Sequence, residues 1–189
     1  MKRIGIFGGT FNPVHVGHLL IAQMAQEKFR LDRVVFVPSN LPPHKTIRQL
    51  ATGRQRSHMT RLAIRDNPKF AISDYEIKKK GRSYTIDTLR HFHKVFPKGT
   101  KLYFIIGGDM FTDLHTWKDI DEILKIATFI VVNRPGYDTR NIGVQHLSMT
   151  MPGVDIASSY LRRWIAQGKS IKYLVPESVF RYIGKNKLY

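Results

Sequence analysis

Apolar residues along this chain fall into short dense runs separated by amphipathic stretches. Ile4 to Phe7 is apolar and bounded by glycine, which reads as a buried strand. Gly8-Gly9-Thr10-Phe11-Asn12-Pro13 cannot continue it and reads as a loop. From His18 to Phe29, Leu19, Ala22, Ala25 and Phe29 return at helical spacing. Val34-Val35-Phe36-Val37 is a second buried strand, stopped by Pro38. Strand, glycine loop, helix and strand make a βαβ unit with a right-handed crossover.

The alternation continues. Arg54 to Arg65 reads as a helix with Met59, Leu62 and Ala63 on one face. Phe70 to Ile77 reads as extended. Ile86 to Val95 reads as a helix capped by Thr85 or Ser83. Leu102 to Ile106 is a strand ending at Gly107-Gly108-Asp109, and Ile120 to Ile126 is a short helix. Phe129 to Val132 is another strand, closed by Asn133-Arg134-Pro135-Gly136. Ser158 to Ala166 and Glu177 to Ile183 are closing helices. The expected fold is α/β and Rossmann-like: a doubly wound, mostly parallel sheet with helices on both faces. It is expected to form one domain over 1–189, with the closing helices from 158. Ligands of such sheets bind beyond the carboxyl ends of the strands. The chemistry should therefore follow Phe7, Val37, Ile106 and Val132.

Composition narrows this picture. The chain has 189 residues, 42% of them apolar, which excludes intrinsic disorder and suits one domain. It has no cysteine, which excludes a disulfide scaffold, a thiol nucleophile and thiolate metal sites. No apolar run approaches the ~18 residues needed to span a bilayer. The basic start is followed by a stretch too short and glycine-rich for a signal peptide, so a cytoplasmic protein without a membrane partner is expected. Lys and Arg number 31 against 14 Asp and Glu, a formal net of +17, a field that concentrates polyanions. The basic residues are spread along the chain. Charge alone leaves open a nucleic acid, a nucleotide, an anionic lipid or merely a basic solvated surface.

The strand ends carry the candidate chemistry. In Gly8-Gly9-Thr10-Phe11-Asn12-Pro13-Val14-His15-Val16-Gly17-His18, glycines let backbone N–H groups approach a phosphate. The following helix adds the positive end of its dipole. His15 and His18 flank Gly17 at the helix start and can both reach an anion held there. A metal site or two surface histidines is the other reading; the glycine loop favours phosphate. In Pro38-Ser39-Asn40-Leu41-Pro42-Pro43-His44-Lys45, two adjacent prolines stiffen the loop, and Lys45 is either a phosphate contact or a surface lysine. Asp109 follows two glycines and could serve ribose hydroxyls, Mg²⁺ or a helix cap. Trp117 offers a face for a flat cationic ring, or is ordinary partial burial. Val154-Asp155-Ile156-Ala157-Ser158-Ser159-Tyr160-Leu161-Arg162 places hydroxyls and Arg162 at a helix start, a second anion cradle or a plain serine cap.

Three common motifs are absent. The glycines at 5, 8 and 9 do not supply a dinucleotide fingerprint. Gly168-Lys169-Ser170 lacks the earlier glycine of a phosphate-binding P-loop, since that position is Arg163. No Gly-x-Ser-x-Gly elbow occurs.

Gly9-Thr10-Phe11-Asn12-Pro13-Val14-His15-Val16-Gly17-His18 resembles the opening motif of the HxGH nucleotidyltransferase superfamily. Ile156-Ala157-Ser158-Ser159-Tyr160-Leu161-Arg162 resembles its late Ile-Ser-Ser-Thr-x-Ile-Arg motif. Pro42-Pro43-His44-Lys45, Gly107-Gly108-Asp109, Trp117 and Asn133-Arg134-Pro135-Gly136 narrow the resemblance to bacterial-type nicotinate-nucleotide adenylyltransferase, over essentially the whole chain. Ala157 stands where that family usually has serine, Ser159 where it has threonine, and Leu161 where it has isoleucine. The resemblance implies adenylyl transfer from ATP to nicotinate mononucleotide, giving nicotinate adenine dinucleotide and pyrophosphate without a covalent intermediate. It implies catalytic roles for His18 and His15. It implies ATP contacts from Gly8, Gly9, Thr10, Phe11, His15, His18, Gly107, Asp109, Arg134, Ile156, Ser158, Ser159 and Arg162. It assigns Lys45, Thr85 and Trp117 to the mononucleotide. Mg²⁺ is expected with ATP and no protein-held metal site; nucleic acid is not an expected partner, and a homo-oligomer stays open. The alternatives are another HxGH adenylyl- or cytidylyltransferase, such as phosphopantetheine adenylyltransferase, or a non-catalytic nucleic-acid-binding protein.

Overall fold

In a computed structural model of the chain, which describes residues 1–40, 50–133, 143–151, 153 and 155–189, six strands form one sheet. The strands are β1 (Arg3–Gly9), β2 (Arg33–Pro38), β3 (Phe70–Ile72), β4 (Lys101–Gly107), β5 (Ala127–Asn133) and β6 (His146–Thr150). They lie in the order β3-β2-β1-β4-β5-β6, and every neighbouring pair is parallel. The chain winds outward from β1 through β2 to β3, then returns to place β4 on the other side of β1. The strand order therefore reverses between β1 and β4, the position where doubly wound sheets open a ligand crevice.

Helices cover both faces: α1 (Val16–Lys28), α2 (Gly53–Ile64), α3 (Tyr75–Lys79), α4 (Thr85–Val95), α5 (Gly108–Phe111), α6 (Ile120–Ile126), α7 (Ser158–Ala166) and α8 (Glu177–Lys185). Alternation along each strand sorts the core into two layers. Val34 and Phe36, Tyr103 and Ile105, Ile130 and Val132 pack with Ala22, Met59, Leu161 and Val179. Val35 and Val37, Phe104 and Ile106, Phe129 and Val131 pack with Ile86, Leu89, Phe92 and Ile123. Strands buried on both faces need no polar positions, which is why they read as continuous apolar runs. None of the helices in the described residues is long and apolar enough to cross a membrane.

Five expectations need correction, the first that Gly8 and Gly9 are loop: they are the last residues of β1, paired with Val37 and Pro38 of β2. The extended reading of Phe70 to Ile77 holds only for Phe70–Ile72; the chain then turns into α3, with the Tyr75 N–H donating to Ser73 Oγ at 3.3 Å. Strand β6 went unread because its apolar positions, Leu147 and Met149, are separated by polar residues on a sheet edge. The cap of α4 is Tyr84, with Thr85 the first helical residue, and Ser83 Oγ instead accepts the Asn40 N–H at 2.9 Å. Helix α1 begins at Val16, two residues before the expected start, with His15 as its cap.

Candidate active site

The turn between β1 and α1 holds the two imidazoles that the sequence singled out. His15 is buried, and His18 is half-buried one turn into the helix. Their ring centroids lie 3.7 Å apart. Gly17 permits this, since a Cβ there would come within 3.1 Å of His15 Nδ1. His18 Nδ1 accepts the His15 backbone N–H at 3.2 Å. A neutral imidazole that accepts at Nδ1 carries its proton on Nε2, so His18 keeps a donor on its other nitrogen. Behind it, Phe11 meets the His18 ring edge-on at 5.0 Å, and Phe7 and Phe36 buttress Phe11 at 5.6 and 5.7 Å. Phe11 adopts φ 48°, in the left-handed region that bulky residues avoid. Such strain persists only where packing over-determines it, and Phe11 is 1% exposed.

The carbonyls of this turn are held from three directions. Arg56 Nη1 donates to Thr10 O at 2.8 Å, Arg162 Nη1 to Asn12 O at 2.7 Å, and Ser158 Oγ to Pro13 O at 2.9 Å. Asn12 Oδ1 accepts from the Ala51 N–H at 3.1 Å and from the Tyr189 hydroxyl at 2.6 Å. Burial lowers the pKa of both Arg56 and Arg162, and each stays cationic in the ordinary range. Burial pushes the Tyr189 phenol well above its usual value, with the nearby Arg162 and Arg56 charges opposing that shift. Fixing these carbonyls holds the backbone of the turn in one conformation. The charge-assisted bonds are worth about 1.5–3 kcal/mol each, against the cost of burying two guanidinium groups.

The second expected cradle stands against the first. Ala157 is the cap of α7 and offers no side-chain acceptor to the helix, so Ser158 and Ser159 lie in its first turn. Ser158 and Arg162 both reach the β1–α1 turn, which brings residues 145 and 150 positions apart together. Ser159 is exposed, and Ile156 is half-buried against the core layer of α7.

Across the switch point, β4 ends at Gly107, beside β5 and one strand from β1. Asp109 is exposed in the first turn of α5, and its Oδ1 lies 2.5 Å from where a Gly107 Cβ would stand. Glycine at 107 thus lets the carboxylate fold back over the strand end. Trp117 is half-buried, edge-on to Phe104 at 5.9 Å and to Phe129 at 6.2 Å. Phe104 in turn lies 3.4 Å from the Cβ direction of Gly8, so Trp117 stands one ring away from the glycines of β1. Lys118 Nζ sits 5.0 Å over the Tyr84 ring, next to Thr85 at the start of α4. Arg90 of α4 pairs with Asp119 at 3.4 Å and more closely with Glu122. Those pairs hold the Trp117 segment to α4.

The expected residues Gly8, Gly9, Thr10, Phe11, His15, His18, Ser158 and Arg162 therefore converge on one turn. Gly107, Asp109, Thr85 and Trp117 lie on neighbouring strand ends and helix starts. Lys45 and Arg134 lie outside the described residues. Among the described residues no three His, Asp or Glu side chains gather closely enough to hold a metal ion. Sequence reasoning missed Arg56, Asn12 and Tyr189. Arg56 looks like a helix-surface arginine beside Arg54, and Asn12 and Tyr189 carry no local signal beyond their polarity.

Comparison with known proteins places this geometry. Residues 6–164 match the family model described as cytidylyltransferase-like. The chain is 43% identical over 187 residues to a Thermus thermophilus protein named "Probable nicotinate-nucleotide adenylyltransferase", covering 99% of each chain. It is 41% identical over 199 residues to a protein of the same name from Desulfitobacterium hafniense, covering 100% of this chain and 96% of that one. Among solved structures, the Plasmodium falciparum nicotinic acid mononucleotide adenylyltransferase complexed with NaAD superposes with a TM-score of 0.84 at 20% identity. That match covers 100% of this chain and 98% of the other.

Proposed function

The chain belongs to the nicotinate-nucleotide adenylyltransferase family, and from that membership we infer that it transfers the adenylyl group of ATP to nicotinate mononucleotide. The products are nicotinate adenine dinucleotide and pyrophosphate, a step in NAD synthesis, which we place in the cytoplasm. The observation that carries the reading is the His18 ring at the start of α1, its Nδ1 accepting the His15 N–H and its proton therefore on Nε2.

The residues support direct in-line transfer. A mononucleotide phosphate oxygen bonds to the α-phosphorus of ATP while the bond from that phosphorus to the leaving pyrophosphate breaks. The electron pair leaves with pyrophosphate, so no enzyme nucleophile is needed. His18 donates to the α-phosphate oxygens as charge builds there, and the α1 dipole adds positive potential. His15 orients His18 through its backbone N–H, and its ring lies tilted against that of His18. Ser158, Ser159 and Arg162 take the β- and γ-phosphates, helped by Gly8, Gly9, Thr10 and Phe11. Gly107, Asp109, Arg134 and Ile156 contact the adenosine end. Mg²⁺ carried on the triphosphate would neutralise part of its charge, beside the phosphate contacts of Ser158, Ser159 and Arg162. Trp117 stacks on the pyridinium ring, a favourable match because that ring is cationic. Thr85 at the start of α4 and Lys45 serve the nicotinate carboxylate and mononucleotide phosphate.

Steady-state pyrophosphate release with nicotinate mononucleotide, its amide counterpart and phosphopantetheine tests the reading. Turnover is expected to be fastest with the acid mononucleotide. Release with phosphopantetheine and none with nicotinate mononucleotide would assign the chain a different acceptor.

A further inference from the structure

Arg56 is the bulkiest fully buried side chain among the described residues, 1% exposed, yet it lies on α2, away from the motifs. Its guanidinium spends its donors on carbonyls from three separate segments. Nε donates to Ala51 O at 3.0 Å, Nη1 to Thr10 O at 2.8 Å and Nη2 to Asn40 O at 3.1 Å. Among the described residues no carboxylate lies within ion-pairing distance of it. The nearby buried carboxylate is Glu76, held by the Thr88 hydroxyl at 2.6 Å. Burying a guanidinium without a paired carboxylate is unfavourable, and packing alone would be served by leucine or methionine. What an apolar side chain cannot do is hold three carbonyls at set separations with one rigid planar fork.

Two of those carbonyls lie where the substrates must meet. Thr10 belongs to the turn that receives ATP phosphates. Asn40 follows β2 and stands five positions before Lys45 in the sequence. Asn40 is also tied onward: its N–H donates to Ser83 Oγ at 2.9 Å, and its Nδ2 to Gly81 O at 3.2 Å. Ser83 is two residues before Thr85, where α4 begins. A continuous chain of hydrogen bonds therefore runs from Thr10 through Arg56 and Asn40 to Ser83, from the donor turn to the acceptor helix.

We propose that Arg56 is a positioning residue for adenylyl transfer: its guanidinium sets the spacing between the phosphate-binding turn and Asn40, which is tied through Ser83 to the start of the acceptor helix. This rests on the function proposed above. In-line attack is sensitive to that spacing, since a misplacement of about 1 Å can cost ~10²-fold in rate. Arg56 touches neither substrate; it acts through the backbone of Thr10 and Asn40.

The test compares wild type, Arg56→Lys and Ser83→Ala as full chains, by thermal melting and by pyrophosphate release with ATP and nicotinate mononucleotide. Lysine keeps the charge but cannot span three carbonyls. A folded Arg56→Lys protein is expected to lose roughly 10²-fold in kcat while either KM moves only a few-fold. Ser83→Ala cuts the same chain at its half-buried end, where Ser83 also hydrogen-bonds Glu76, and is expected to lower kcat per folded molecule by about fivefold with a melting drop of a few degrees, as for two lost hydrogen bonds. A merely structural Arg56 would lower the melting temperature and leave kcat per folded molecule intact. A folded Arg56→Lys protein with kcat within about twofold of wild type, a difference too small for any misplacement, would overturn the proposal. If that variant does not fold, an unchanged kcat in folded Ser83→Ala overturns it instead. Wild-type protein that releases no pyrophosphate with nicotinate mononucleotide would bring down the functional reading, and this inference with it, whatever the variants did.

Discussion

The turn after β1 and the segment around Trp117 follow neighbouring parts of the sheet, but they are held in opposite ways. The donor turn is pinned from inside the protein. Arg56, Arg162, Ser158 and Tyr189 all bond to its backbone or to Asn12. The acceptor segment is held from outside, by exposed pairs of Arg90 with Asp119 and Glu122 and by Lys118 over Tyr84. Exposed pairs are worth about 0–1 kcal/mol and are screened by salt. The part-buried bonds, two of them from guanidinium groups, are stronger and less screened. The contrast fits the division of labour. A triphosphate must be met by dipoles already in place, because reorganising them would consume the stabilisation they offer. A flat ring can be captured by an aromatic face on a segment with room to adjust.

The comparison breaks most visibly at His18. If the donor turn is preorganised around the reacting phosphate, His18→Ala should lower kcat by about 10²–10³-fold, the usual cost of one charge-stabilising donor. Equilibrium ATP affinity should change little, because the remaining turn contacts persist. Near-normal turnover in a folded variant would remove His18 from the chemistry. On the acceptor side, Trp117→Ala should raise the KM for nicotinate mononucleotide about tenfold, in line with the loss of one cation–π contact and its packing. The ATP KM should stay near wild type, and a parallel rise in both would show that the two regions are not independent.

The smallest effect expected comes from Tyr189→Phe, which removes one buried hydrogen bond to Asn12 and keeps the ring. It should cost about 0.5–1.5 kcal/mol, seen as a drop of a few degrees in melting temperature. The same residue predicts a pH dependence. The folded state keeps the Tyr189 proton where the unfolded chain has released it. Its contribution is therefore whole below about pH 10, the ordinary phenol value, and is lost as pH rises above it. Melting curves from pH 8 upward should fall more steeply for wild type than for the Phe variant. Parallel curves would show that Tyr189 stays solvated.

How much of this was legible in the chain differs by element. The strands at β1, β2, β4 and β5 were plain because burial on both faces leaves an uninterrupted apolar run. His15, Gly17 and His18 were legible because a strand, glycines and a helix follow one another within a few residues. β6 was not, since an edge strand needs only Leu147 and Met149 turned inward. The α3 turn was hidden because Ser73 redirects the backbone with its side-chain oxygen, which a hydropathy pattern does not record.

By itself the sequence determined the alternation of strands and helices, and with it the parallel sheet, the glycine turn and the paired imidazoles, because each is a pattern of neighbours. Only the tertiary structure decided that Arg56 is buried beneath the donor turn, that Arg162 and Ser158 close on the same turn, and that Tyr189 completes it. Those partners lie 46, 150, 145 and 177 positions from the groups they hold. A local pattern constrains a residue through its own backbone and the faces it shares. Which carbonyl a distant guanidinium meets depends on how whole elements pack, and that is settled only when the sheet and its helices close together.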